Sequence, residues 1–153
     1  TLPAMLAGKG LGGMMFGLVI GMAALVGVTI GFDLAAWRLA PAILTLLLST
    51  MAFSALGAFV SVAVQEVFEA QTLANLIRFP MIFLCGVFVP LDHLPAVLQV
   101  LARALPMTYA VEALEAALLG MPTCATALDL AALAGFTVLL FALATIILRR
   151  RLD

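Results

Sequence analysis

Long stretches without charge leave this chain few ways to fold. From Leu11 to Gly31, and again from Pro41 to Val64, no ionisable side chain interrupts the apolar run. Thr72–Val89 carries only Arg78, and Ala127–Leu148 only Asp129 near its start. Each stretch approaches the roughly 20 apolar residues that a helix needs to cross a bilayer. Hydrophobic residues make up 66% of the chain and charged residues 10%. A soluble domain has about 45–50% and about 25%. With 153 residues the chain cannot hide that much apolar surface within itself, because small domains leave a large share of their area exposed. The expected fold is one all-α, polytopic membrane domain of four spanning helices.

Between the third and fourth stretches, Pro90–Thr126 is too long for a turn and too apolar for a plain loop. Leu94, Val97, Leu98, Leu101 and Leu105 recur at helical spacing, and so do Val111, Leu114 and Leu118. Pro106 separates the two patterns, and Gly120 with Pro122 ends the second. This predicts two short re-entrant or interfacial helices, 94–105 and 108–119. Gly86 and Pro90 would let the chain turn sharply out of the third span, and Asp92 is expected to cap the following helix. Pro41 is expected at the first position of the second helix, where its missing N–H costs nothing.

Basic residues flanking spans mark the cytoplasmic side. Arg149, Arg150 and Arg151 follow the fourth span directly, which predicts a cytoplasmic C-terminus. Four crossings then return Lys9 and the N-terminus to the same side, together with the Gln65–Gln71 connection. Pro90–Thr126 lies outside.

Few residues suggest chemistry. Gly13, Gly17 and Gly21 recur every fourth position, the small-xxx-small pattern that lets membrane helices approach closely. Arg78 is a basic residue inside a span. Such charges face a protein interior or cavity, or snorkel to the headgroups. Glu112 and Glu115 share a helix face but read as a polar surface on an external helix rather than an acid–base pair. Asp129 sits favourably against the helix dipole. Cys85, Cys124 and His93 have no metal-ligand spacing, so no metal or cofactor is implied. Gly8-Lys9-Gly10 lacks the earlier glycine and following Ser or Thr of a phosphate loop. A net charge of −1 gives no basic signature for nucleic acid. Composition and spacing alone also fit an ion-coupled transporter using Arg78 and Asp129, or a non-catalytic membrane scaffold.

Arg78–Gly120 has a specific order of landmarks: Gly86, Pro90-Leu91, Leu94-Pro95, Leu105-Pro106 and Thr108-Tyr109-Ala110. This string resembles the type-2 ABC transporter permeases, the membrane subunits of many bacterial exporters. Leu6-Ala7-Gly8-Lys9 is similar to the entry of that family's third span. Two positions depart from the pattern: Glu115 stands where many relatives carry a basic residue, and Cys85 where serine is common. The resemblance implies spans three to six of a six-span subunit, with the first two and an interfacial helix lying upstream. It implies a re-entrant segment bearing Gly86, Pro90, Pro95, Pro106, Tyr109 and Glu112. It also implies pairing with a second permease copy or a paired permease in the lipid of a bacterial inner membrane. ATP hydrolysis would belong to a separate ABC ATP-binding subunit docked near Lys9, Gln65, Glu66, Glu69 and Gln71, so the chain itself is expected to be no enzyme.

Overall fold

The structure, a computed structural model, describes residues 2–32, 35–64, 66–121 and 124–150. They form six α-helices: α1 (Leu2–Phe32), α2 (Ala36–Ala63), α3 (Val67–Leu84), α4 (Ala96–Arg103), α5 (Pro106–Leu119) and α6 (Cys124–Arg150). A 3₁₀ turn, Leu91–His93, precedes α4. Among the described residues three helical segments are long and apolar enough to cross a membrane alone: Gly10–Phe32, Trp37–Ala63 and Cys124–Arg149. At about 1.5 Å per residue each exceeds the ~30 Å hydrocarbon layer. The chain is a multi-pass helical membrane protein.

The third stretch departs from expectation. α3 covers 67–84 rather than 72–89. Its 18 residues span only ~27 Å. It starts earlier because nothing in Val67–Gln71 breaks a helix, and Glu69 suits the positive first turn. It stops at Leu84 because Cys85 leaves helical geometry (φ −73°, ψ 1°) and Gly86 takes φ +92°, a left-handed conformation open to glycine. Pro90 lies beyond.

Two smaller expectations also change. α2 begins at Ala36, so Pro41 lies inside the helix rather than at its first position. The apolar count alone could not extend the helix back through Trp37 and Arg38. Asp92 lies in the 3₁₀ turn. The cap residue of α4 is Pro95, with no side-chain hydrogen bond, because its fixed φ already sets the helix entry.

α2 is the hub. It packs most extensively on α6, then on α1 and α5, while α3 lies against it more thinly. The buried contacts use small side chains: Ala42, Ala52, Ala55 and Ala58 on α2, Ala110, Ala113 and Ala117 on α5, and Ala144 on α6. Lipid is as apolar as leucine, so helices gain little by hiding leucines from it. They associate where small residues permit close van der Waals contact. Leu133 is a large side chain fully buried with Ala52 and Ala110, and Leu25, Val60, Val62 and Met81 are buried as well. Towards one end Leu25, Ala42 and Ala117 cluster; towards the other, Ala58 and Val62 meet Ile147 and Leu148. This ladder makes α2 and α6 parallel and α1 antiparallel to α2. The outer surface is apolar in turn: Phe16 is 70% and Phe68 83% exposed, as lipid requires.

The glycine stripe of α1 faces α2 with matching four-residue spacing. A methyl on Gly13 would approach Ser54 Oγ at 3.3 Å, one on Gly17 would approach Thr50 Cγ2 at 3.1 Å, and one on Gly21 would overlap Leu46 Cδ2. The hydroxyl of Ser54 donates to the carbonyl of Gly10, tying the two helices. Relief differs along the stripe. Leu46 can swing its terminal methyls away, whereas Thr50 is β-branched and its hydroxyl donates to the carbonyls of Leu46 and Leu47. Gly17→Ala is therefore expected to destabilise by about 1–2 kcal/mol through overpacking, more than Gly21→Ala. Gly27 has open space around it, so Gly27→Ala should be neutral or stabilise by roughly 0.5–1 kcal/mol. Reversible unfolding in mixed micelles measures all three, and equal losses would contradict this packing.

Candidate translocation groove and coupling end

The segment after α3 is a hairpin built by breakers. Gly86 lies beside Val111, Leu114 and Leu118 of α5. The chain passes through the 3₁₀ turn into α4, and α5 then leaves α4 at 84°. Pro106 occupies the first turn of α5, where a lost N–H is harmless. The start of α5 reaches the middle of the bundle, with Ala110 against Ala52 and Leu133. Its end returns to Ala42 and Leu25, the level from which the chain came. The unit dips inward and comes back.

Backbone groups at such a bend must find partners within the protein, since hydrocarbon offers none. Thr108 Oγ1 donates to the carbonyl of Ala102 at 2.6 Å, and Tyr109 Oη donates to that of Arg103 at 2.7 Å. Both join the start of α5 to the end of α4. Tyr109 also lies against Phe136 of α6, with ring centroids 6.0 Å apart. Pro90 and Pro95 precede the 3₁₀ turn and α4 as their cap residues. Glu112 and Glu115 are both exposed. Glu115 borders the shallow cavity beside Gly86.

The end of α5 holds a contact that no local pattern reveals. Gly120 adopts φ +72°, and the amides of Gly120 and Met121 both donate to the carbonyl of Ala116. Arg38 of α2 donates through Nη1 to the carbonyl of Leu118 at 3.1 Å. A cation there complements the negative end of the helix dipole. Its guanidinium lies 5.1 Å from the ring centre of Trp37, within the range of a cation–π contact. The partners are 80 residues apart. Only the Trp-Arg pair at a span end, an interfacial anchor in composition, offered a signal.

Arg78 is exposed and borders a groove of about 300 Å³ between α2 and α3, to whose lining Met107 of α5 also contributes. Phe53, Leu56, Gly57 and Val60 form one wall, and Ile77, Met81 and Ile82 the other. Phe53 and Gly57 also border a second cavity of about 400 Å³ behind α2, lined by Gly13, Gly17, Thr50 and Ser54.

The end of the bundle opposite Gly120 holds the start of α1, the start of α3 and the end of α6, with Ala58 and Val62 of α2 against Ile147 and Leu148. Lys9 belongs to α1 itself, whose single helix continues through Leu2–Gly10. Glu66 is the cap residue of α3, extended (φ −104°, ψ 146°), exposed and without a side-chain cap bond. Glu69 and Gln71 are exposed on the first turns of α3. Gln65 lies outside the described residues. No group of His, Cys, Asp or Glu side chains among the described residues is placed to hold a metal ion.

The profile described as "ABC-2 type transporter" matches residues 1–119. The chain belongs to the ABC-2 type transporter family. Nodulation protein J of Rhizobium leguminosarum bv. trifolii is 34% identical over 136 residues, covering 85% of this chain and 52% of that protein. Nodulation protein J of Rhizobium meliloti (strain 1021) is 31% identical over 105 residues, covering 69% and 40% respectively. The chain thus spans about half the length of the curated relatives it matches. No solved structure matches it. The match is to a membrane component of that transporter family.

Gly120 couples strain and contact at one atom. A methyl there would stand 2.7 Å from Trp37 and 2.8 Å from Arg38 Nε, on a backbone that disfavours any Cβ. Gly120→Ala is expected to lower stability by about 1–3 kcal/mol. It should also loosen the end of α5 on α2, read as faster amide exchange at Leu118–Met121. Unchanged exchange would contradict the Arg38 cap.

Proposed function

We propose that this chain is the C-terminal, four-crossing portion of the permease subunit of an ATP-driven exporter in a bacterial inner membrane. α1, α2, α3 and α6 correspond to spans three to six, with α4 and α5 as the external re-entrant unit. Both ends of the chain face the cytoplasm, in keeping with Arg149 and Arg150 at the end of α6. Two such subunits, as two copies or as a permease pair, form the membrane assembly, and separate ATP-binding subunits supply the energy. The observation that carries this reading is the groove between α2 and α3, two helices joined at the end of the bundle that holds Glu66 and Glu69.

The mechanics follow from uneven packing. α2, α5 and α6 interlock through small residues, whereas α3 touches α2 lightly and ends just before Gly86, whose φ is +92°. A partner that closes on ATP and pushes Glu66 and Glu69 moves α3 as a rod against a fixed wall, and the groove changes width. Coupling requires that the ATP-bound partner favour one groove state over the other, since only differential affinity shifts an equilibrium. Lys9, Gln65 and Gln71 complete the docking surface. An ion-coupled reading has one observation behind it, the burial of Asp129 on α6. It predicts transport that survives ATP depletion and collapses with the membrane potential.

Glu66→Lys with Glu69→Lys, in the full-length permease reconstituted with its ATPase, is expected to cut ATP-driven transport about tenfold or more while hydrolysis continues. Loss of a coupling energy of 1–3 kcal/mol has that size. Transport at the unsubstituted rate would remove this end of the bundle from the coupling path.

A further inference from the structure

A proline divides α3 where its packing changes. Pro80 lies inside the helix, which continues across it from Val67 to Leu84. Its nitrogen carries no hydrogen, so the carbonyl of Leu76 loses the bond it would otherwise accept, and the ring crowds that carbonyl. Beyond Pro80, Met81 is 2% and Cys85 1% exposed. Four residues apart, they share one helix face and seat this end of α3 in the bundle. Gly86 then lies against α5. Before Pro80 the grip is weaker. Between Phe68 and Phe79 no side chain is buried; Ala70, Leu73, Ala74 and Ile77 are half-buried and the rest exposed. Leu76 and Pro80 are both exposed, so the missing bond lies away from the face that α3 turns to its neighbours.

We propose that Pro80 is a hinge that splits α3 into an inner arm, Phe68–Phe79, which moves, and an outer anchor, Met81–Cys85, which does not. The proposal rests on the reading of α3 as the moving helix of an exporter and specifies which part of it moves. A helix bends most cheaply at a proline, because the hydrogen bond that bending would strain is already absent. Sharp kinks in long helices concentrate at such positions. Here the step from unburied to buried side chains falls at the same residue. Crowding is relieved when the helix opens on the Leu76–Pro80 side. The arm therefore tilts towards and away from α2, across Leu56, Gly57 and Val60. A change of about 15° would carry Phe68, about 18 Å along the helix from the hinge, by about 5 Å. Glu66 and Glu69 stand at the tip of this arm, where a push has the longest lever.

Spin labels test this on the full-length permease reconstituted with its ATPase. Phe68→Cys on α3 and Ser61→Cys on α2 place them at exposed positions, and Cys124→Ser removes an exposed thiol. Dilution with unlabelled permease isolates the distance within one subunit. ATP trapped with vanadate is expected to shift that distance by about 5 Å. Pro80→Ala restores a donor to the Leu76 carbonyl. It should abolish the shift and cut ATP-driven transport about tenfold or more. Pro80→Gly keeps the backbone pliable and should retain most of both. A shift that survives Pro80→Ala, equal loss of transport in the two variants, or no shift in a transporting complex would overturn the hinge. The permease without its ATPase separates the two readings. A broad distance distribution that narrows with Pro80→Ala, in a protein whose transport ignores ATP, keeps the hinge and rejects the exporter. ATP-driven transport untouched by Pro80→Ala does the reverse.

Discussion

In hydrocarbon, a backbone amide or carbonyl that finds no partner within the protein finds none at all. That constraint organises this molecule more than any side-chain contact. It requires α1, α2 and α6 to run as unbroken helices through the apolar layer. It also makes every interruption expensive enough to need its own remedy. Thr108 and Tyr109 serve carbonyls at the α4–α5 corner, and Arg38 serves one at the end of α5. Proline removes donors at Pro90, Pro95 and Pro106, where a donor would have been idle. The re-entrant unit exists because its breaks come with their own partners.

Once helices are assured, their association is a question of fit. The alanines of α2, α5 and α6 and the glycines of α1 allow backbones to approach, and the fully buried Leu133 fills the centre. α3 has no comparable small-residue face. It carries Glu69, Gln71, Asn75 and Arg78, is shorter than the other long helices, and leaves a groove where it meets α2. The tightly and loosely packed parts of the bundle are therefore distinct, and the loose part is where an ABC-2 permease would need to move. Local stability is lowest where apolar contacts are fewest. The division between α3 and the rest is a physical basis for a conformational change that keeps the core intact.

Much of the architecture was legible in the amino-acid order because crossing a membrane is a local property, a sum of transfer free energies along consecutive residues. The apolar runs at 11–31, 41–64 and 127–148 all lie inside observed helices apart from Val64 at the edge of α2, and Pro106 and Gly120 stand at the limits of α5. The four-residue recurrence of Gly13, Gly17 and Gly21 marked a close approach in advance. Helix ends were less legible. Apolarity does not say where a helix continues into water, so α1 and α2 began earlier than the charge-free runs. α3 shifted towards its polar side, because Gly86 rather than Pro90 sets its limit.

What the order of residues could not supply was partnership. Nothing near Arg38 points to Leu118, and nothing near Ser54 points to the carbonyl of Gly10. Arg78 reads from the sequence as a snorkelling side chain or a cavity charge, and only the packing of α2 and α3 shows that it borders a groove. Helix identity depends on neighbours a turn away, so one dimension of sequence contains it. Which face meets which depends on residues tens of positions apart brought within a few ångströms, and only the packed bundle chooses among those pairings.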